Sequence, residues 1–160
     1  MRFGAARLLQ RATTRTLARL KSGLAHVIAA TVVSVSLTAL AEDYRNCTSK
    51  PLTEARSLER LPSEISSLLG RERAGLEGIA DRGGKFNVTD VVDNKLPRRR
   101  FVLGGFNDAC AVVAIEHGGR GHWFEVVTFT QTKGKWQFRE RRSIDAAPTS
   151  LDALRRHVSR

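Results

Sequence analysis

The stretch RRRFVLGGFNDACAVVAIEHGGRGHWFEVVTFTQTKGKWQFRERRSI, residues 98–144, decides the fold. It holds seven of the nine aromatic residues that follow position 41. Its apolar residues fall into short runs, each bounded by turn-forming residues, which is how strands are written. Residues 99–106 read as one strand, ending at Asn107-Asp108. Residues 109–117, rich in Ala, Val and Ile, read as the next. Gly118-Gly119-Arg120-Gly121 then turns the chain into a third strand over 122–131. There Trp123, Glu125, Val127 and Phe129 take one face, and Phe124, Val126, Thr128 and Thr130 the other. Thr132-Lys133-Gly134 makes a second turn. Residues 135–144 are the last strand, with Trp136 and Phe138 inward and Gln137, Arg139 and Arg141 outward. Turns this short join antiparallel neighbours. The stretch therefore predicts an antiparallel meander of three or four strands.

Upstream, residues 61–70 read as a short helix. Pro62 suits its first turn, Ile65, Leu68 and Leu69 share a face, and Gly70 ends it. Residues 71–85 carry Gly75, Gly78, Gly83 and Gly84 among charges and read as a loop or a second short helix. Residues 86–92 look extended, and Asp93-Asn94-Lys95-Leu96-Pro97 turns the chain. Downstream, Leu151, Leu154 and Val158 recur at helical spacing with Asp152 in the first turn, which predicts a short C-terminal helix. A helix across one face of an antiparallel sheet makes a two-layer α+β domain. We assign it to residues 61–160, behind a polar arm at 42–60. With its helix at 61–70 and its meander at 99–144, the outline is similar to that of cystatin-like folds, which host many functions.

The first 41 residues belong to a different regime. They contain no Asp or Glu and six basic residues, Arg2, Arg7, Arg11, Arg15, Arg19 and Lys21. An apolar run over 27–41 closes on Ala39-Leu40-Ala41. A positive region, an apolar region and a small-x-small end predict a signal peptide, cleaved after Ala41. Retained, the segment would be an N-terminal anchor and bring the chain to a membrane. The four-residue spacing of Arg7, Arg11, Arg15 and Arg19 also fits an organelle presequence. Removal changes the charge: the whole chain carries +11, but residues 42–160 keep 21 basic and 16 acidic residues, or +5. That excess lies in residues 98–160, with twelve basic against six acidic. An apolar content of 41% excludes a wholly disordered chain and a polytopic membrane protein.

Cys47 and Cys110 are the chain's two cysteines. In a periplasmic or secreted protein they predict one disulfide. Cys110 lies in the apolar run Ala109-Cys110-Ala111-Val112-Val113, where a thiol would be buried and inert. Two cysteines exclude a four-thiolate zinc site, and no C-x-x-C is present.

Three features are candidates for chemistry. His117-Gly118-Gly119-Arg120-Gly121-His122 is a Gly-rich hairpin whose bracketing histidines are placed to approach one another. Its simplest reading is a turn; the alternative is an anion or ligand contact through Arg120 and backbone amides. A metal there would need a third ligand, so none is assigned. Basic residues form the groups Arg98-Arg99-Arg100, Arg139/Arg141/Arg142 and Arg155/Arg156/Arg160. Arg139 and Arg141 on one solvent face would suit an acidic protein or an envelope polyanion. No nucleic-acid partner is expected, because an exported protein rarely meets one. Asn46-Cys47-Thr48 and Asn87-Val88-Thr89 match the glycosylation sequon. No G-x-S-x-G, phosphate-binding loop or H-E-x-x-H occurs, and no cofactor is implied. The expected function is a small exported, periplasmic, disulfide-tied binding protein of inhibitor or immunity type. Its rivals are a small enzyme or ligand-binding protein using the His117/His122 hairpin, and a membrane-tethered envelope component.

Overall fold

A computed structural model of the protein describes residues 47–158. The expected signal segment and the cleavage expected after Ala41, together with Asn46 and Arg160, lie outside the described residues. Five antiparallel strands form one sheet in sequential order. They are β1 (Thr53–Ala55), β2 (Arg99–Phe106), β3 (Cys110–His117), β4 (Trp123–Thr132) and β5 (Lys135–Ile144). Among the described residues they are accompanied by the short α-helices α1 (Ser63–Leu69) and α2 (Leu151–Arg155), by helical residues at 47–49, and by single 3-10 turns at Leu58–Arg60 and Gly75–Glu77. The domain is α+β, with five strands rather than three or four.

The extra strand is β1, inside the stretch read as an arm. Thr53, Glu54 and Ala55 pair with Phe106, Gly105 and Gly104. Only about fifty residues later does the chain supply the partner edge, so three residues carry little local signal. Conversely, residues 86–92 form no strand. They open an irregular loop, and the bridge here is Ala80 lying parallel to Arg100.

Both faces of the sheet are covered, not one. On the first face Phe101, Val113, Ile115, Val127, Phe129 and Trp136 pack with Leu58, Leu61, Ile65 and Leu69 from β1–α1 and the helix. On the second, Leu103, Cys110, Val112, Ala114, Val126 and Ile144 pack with Cys47, Leu154 and Val158. This explains β3, whose residues 110–116 are all buried. A central strand with two covered faces reads as a continuous apolar run, not as an alternation.

Local chemistry sets each element. Pro62 precedes α1 and its carbonyl accepts from the amides of Ile65 and Ser66. Ile65 and Leu69 are buried, whereas Leu68 is 48% exposed and lies off the packed face. In α2 the Ser150 hydroxyl caps the Ala153 amide at 3.2 Å. Lys133 and Gly134 both take positive φ, at 53° and 77°, in the two-residue loop between β4 and β5. Positive φ at both loop residues matches the right-handed twist of the paired strands.

Cys47 and Cys110 form a disulfide, both fully buried, with Cα atoms 5.5 Å apart. It fastens the start of the described chain to the second face of β3.

One register feature changes the outer strand. Thr128 faces Glu140 while Phe129 faces Phe138, so Arg139 is an extra residue on β5. This β-bulge resets the alternation. Trp136 is buried as expected; Phe138, before the bulge, shares its face and touches Phe129 but is 51% exposed rather than buried, because β5 is the sheet's edge.

Candidate functional site

The hairpin joining β3 to β4 organises the polar residues, and strand alternation decides where each goes. His117 stands in register with Arg99 on β2 and Trp123 on β4. It therefore shares the first face with them and with Glu125. The His117 ring stacks on Trp123 with centroids 3.9 Å apart. Its Nε2 lies 2.8 Å from Oε1 of Glu125, whose side chain is 3% exposed. Oε2 of Glu125 is buried without a hydrogen-bond partner, and the Arg141 guanidinium stands 4.0 Å away. Arg99 donates to the Glu77 carbonyl at 2.8 Å. Burial holds its pKa below the usual arginine value. The Glu125 and Glu77 carboxylates oppose that shift, and the Arg73 and Arg141 charges add to it.

His122 belongs to the other face. Its Nε2 lies 2.8 Å from Oε1 of Glu116. Oε2 of Glu116 accepts from Arg100 Nε at 2.9 Å and Nη2 at 2.6 Å. Arg100 in turn lies over the Phe86 ring, 4.3 Å from its centroid. The two histidines thus do not meet across the hairpin. Each takes a carboxylate on its own side of the sheet. Sequence parity puts Glu116 opposite His117, and Glu125 opposite His122. The diagonal pairs that result, His117 with Glu125 and His122 with Glu116, need the β3–β4 register to be seen. Among the described residues, no group of three or more His, Cys, Asp and Glu side chains is placed to hold a metal ion.

Arg120 is placed differently. With Arg98, Asn94, Asp90, Val92, Gly118 and Gly119 it lines a groove of about 560 Å³. One wall is the loop 87–97, which Asn87 builds. The Asn87 side chain donates to the carbonyls of Asp93 and Leu96 at 2.9 and 2.8 Å. Its Oδ1 accepts from the Asp93 amide at 2.7 Å. The Asn87 amide donates to the Pro97 carbonyl at 2.8 Å. The other wall is the glycine turn. The Gly118 amide bonds the Arg98 carbonyl at 2.9 Å, and a Cβ at Gly118 would fall on the Asn87 carbonyl. Only glycine allows this approach of backbone to backbone. Nothing within the Arg98-Arg99-Arg100 run itself distinguishes Arg98. Strand parity separates the three: Arg99 to the first face, Arg100 to the second, Arg98 to the groove.

Asn87 also answers the sequon at 87–89. It is 3% exposed and its amide is engaged with backbone carbonyls, so it stands in the interior of the loop. Replacing Asn87 by Ala leaves those buried backbone groups unpaired. The expected loss is about 2 kcal/mol, with faster amide exchange at Asp93. A variant with wild-type stability and wild-type exchange there would remove Asn87 as the organiser of the wall.

Arg139 and Arg141 do not form the flat basic face expected of them. The bulge sets Arg139 apart as the inserted residue. Arg141 lies on the first face, its side chain 66% exposed, 5.5 Å from the Phe138 ring centroid.

The fold and groove define a class: a small disulfide-tied α+β domain carrying a polar, arginine-bearing groove at one end of its sheet. No family model, no curated protein and no solved structure matches this chain.

Proposed function

We propose that the chain is an exported, periplasmic, disulfide-tied binding protein of inhibitor or immunity type, released by cleavage after Ala41. It captures an anionic group of a protein or polyanionic envelope partner in the groove beside the Gly-rich hairpin. The observation that carries this reading is the convergence of Arg98 and Arg120 on one cavity with the Gly118–Gly119 backbone. Two guanidiniums and an amide side chain, Asn94, present donors in a concavity, the chemistry that recognises carboxylate or phosphate. Asp90 on the same wall keeps the groove from being a plain positive patch and favours a ligand that also donates. The cystine supports export, because cytosolic thiols stay reduced. The two histidines, His122 bonded to Glu116 and His117 stacked on Trp123 beside Glu125, favour structural anchoring of the hairpin.

The test pairs an intact mass with a capture. Protein recovered from the exported fraction should begin at Glu42 and lack two hydrogens. Used as bait in that fraction, it should retain a partner that increasing salt releases. The Arg98→Glu/Arg120→Glu bait should lose that partner by more than tenfold. Retention of the same partner by the double variant would refute the groove. A mass that keeps residues 1–41 would refute the soluble, exported form.

A further inference from the structure

The groove leaves β5 unexplained, and β5 is the long edge of the sheet. It has ten residues and pairs with β4 alone. Which of its backbone groups face outward follows from two hydrogen bonds. The Gln131 amide donates to the Ala109 carbonyl, so Gln131 faces β3 and not β5. Its register partner is Trp136, whose amide donates to Oε2 of Glu64 in α1 at 3.2 Å, away from β4. Both bonds assign Gln131 and Trp136 to a pair without mutual hydrogen bonds. Antiparallel ladders alternate, so Phe129, Val127 and Glu125 on β4 also face β3. Their partners Phe138, Arg141 and Ser143 then present their backbone outward. α1 takes up the first outward position, Trp136, through Glu64. It leaves the outward backbone of Phe138, Arg141 and Ser143 along the remaining edge.

The side chains at these positions say what fits. Phe138 is half exposed beside Arg141. Arg139, Arg141 and Arg142 outnumber Glu140 along the same stretch. A second copy of β5 would set arginine against arginine, and like charges opposed on paired strands repel. The bulge and the charges thus guard the edge against self-pairing. They do not guard it against an acidic strand.

We propose that β5 receives an extended acidic segment of a partner protein, added as a sixth strand over residues 138–143. An apolar side chain of that segment packs on Phe138, and carboxylates meet Arg141 and Arg142. Main-chain bonds at the three outward positions supply the affinity, and the alternate side chains supply the choice of partner. The groove at Arg98 and Arg120 has no part in this contact.

The probe is a synthetic eight-residue peptide with a single central valine among glutamates, so that carboxylates stand on both faces as Arg141 and Arg142 do, titrated onto the full oxidised chain. Binding should slow amide exchange at Phe138, Arg141 and Ser143. A peptide with lysine in place of glutamate should bind at least tenfold more weakly. Ser143→Pro removes one outward amide while leaving the β4 pairing alone, a substitution edge strands accept. It too should weaken binding at least tenfold, with unfolding midpoint unchanged. Arg98→Glu/Arg120→Glu should bind the peptide as wild type does, which separates this surface from the groove. Any one of three results would overturn the proposal: no binding, no protection at the three amides under saturation, or equal binding of the lysine peptide. Loss of binding in the groove variant alone would do the same.

Discussion

Replacing both Cys47 and Cys110 by Ala is expected to lower the unfolding free energy by about 4 kcal/mol. The bridge spans 63 positions. Cross-linking residues so far apart removes much of the freedom of the unfolded chain. The chain-entropy estimate for a loop of this length is about 4 kcal/mol at room temperature. Domains of this size are stable by only roughly 5–15 kcal/mol. The bridge therefore accounts for a large share of the total, and the reduced chain should sit close to the threshold of unfolding. Both sulfurs are fully buried among Leu103, Val112, Ala114 and Leu154. The two alanines thus also leave small voids, which push the loss further in the same direction. Urea denaturation with and without reductant checks this. A midpoint that does not move on reduction would show that the second face holds without its bridge.

Most of the sheet was legible because its signals are local. Strands β2 to β5 begin and end within a residue of the bounds that alternation and turn residues suggest. Asn107-Asp108, Gly118–Gly121 and Lys133-Gly134 are turn chemistry, readable without any partner. What escaped depends on residues far away in sequence. β1 exists because Gly104 and Gly105 offer it an edge. The bulge at Arg139 shifts the alternation beyond it, so Arg141 joins the face of Phe138, and Phe138 itself stays on the Trp136 face but half exposed because β5 is the sheet's edge, which local alternation does not announce. The groove shows the same division. Arg120 stands out beside its glycines, but Arg98 joins it only because Asn87 folds residues 87–97 back against Gly118. The histidine–glutamate pairs are diagonal contacts across two strands, and no spacing within one strand announces them.

Phe101→Ala should be the most damaging single change on the first face, with a loss of about 4 kcal/mol. Among the described residues, Phe101 is the largest fully buried side chain. Its ring lies against Gly104, where an added Cβ would come 3.4 Å from it, and against the shell formed by Leu61 and Ile115. Truncation loses the transfer free energy of an aromatic ring and leaves a cavity that a sheet cannot close by moving one strand. Phe101 also neighbours the bulge between Phe101 and Leu103, which sends the two residues to opposite faces. Phe101 and the disulfide thus stabilise separate clusters with β2 and β3 between them. Sites that share no partner lose stability additively to within about 0.5 kcal/mol. Phe101→Ala in the reduced chain should therefore lose about 8 kcal/mol in all. Against a total of roughly 5–15 kcal/mol that removes most of the margin, so this combination should be at least partly unfolded at room temperature. Phe101→Ala with the bridge intact should still fold, with a lowered midpoint. Circular dichroism of the four forms, oxidised and reduced, wild type and variant, reads both terms. A combined loss well below the sum would mean that the two faces are coupled through β3 and share one core.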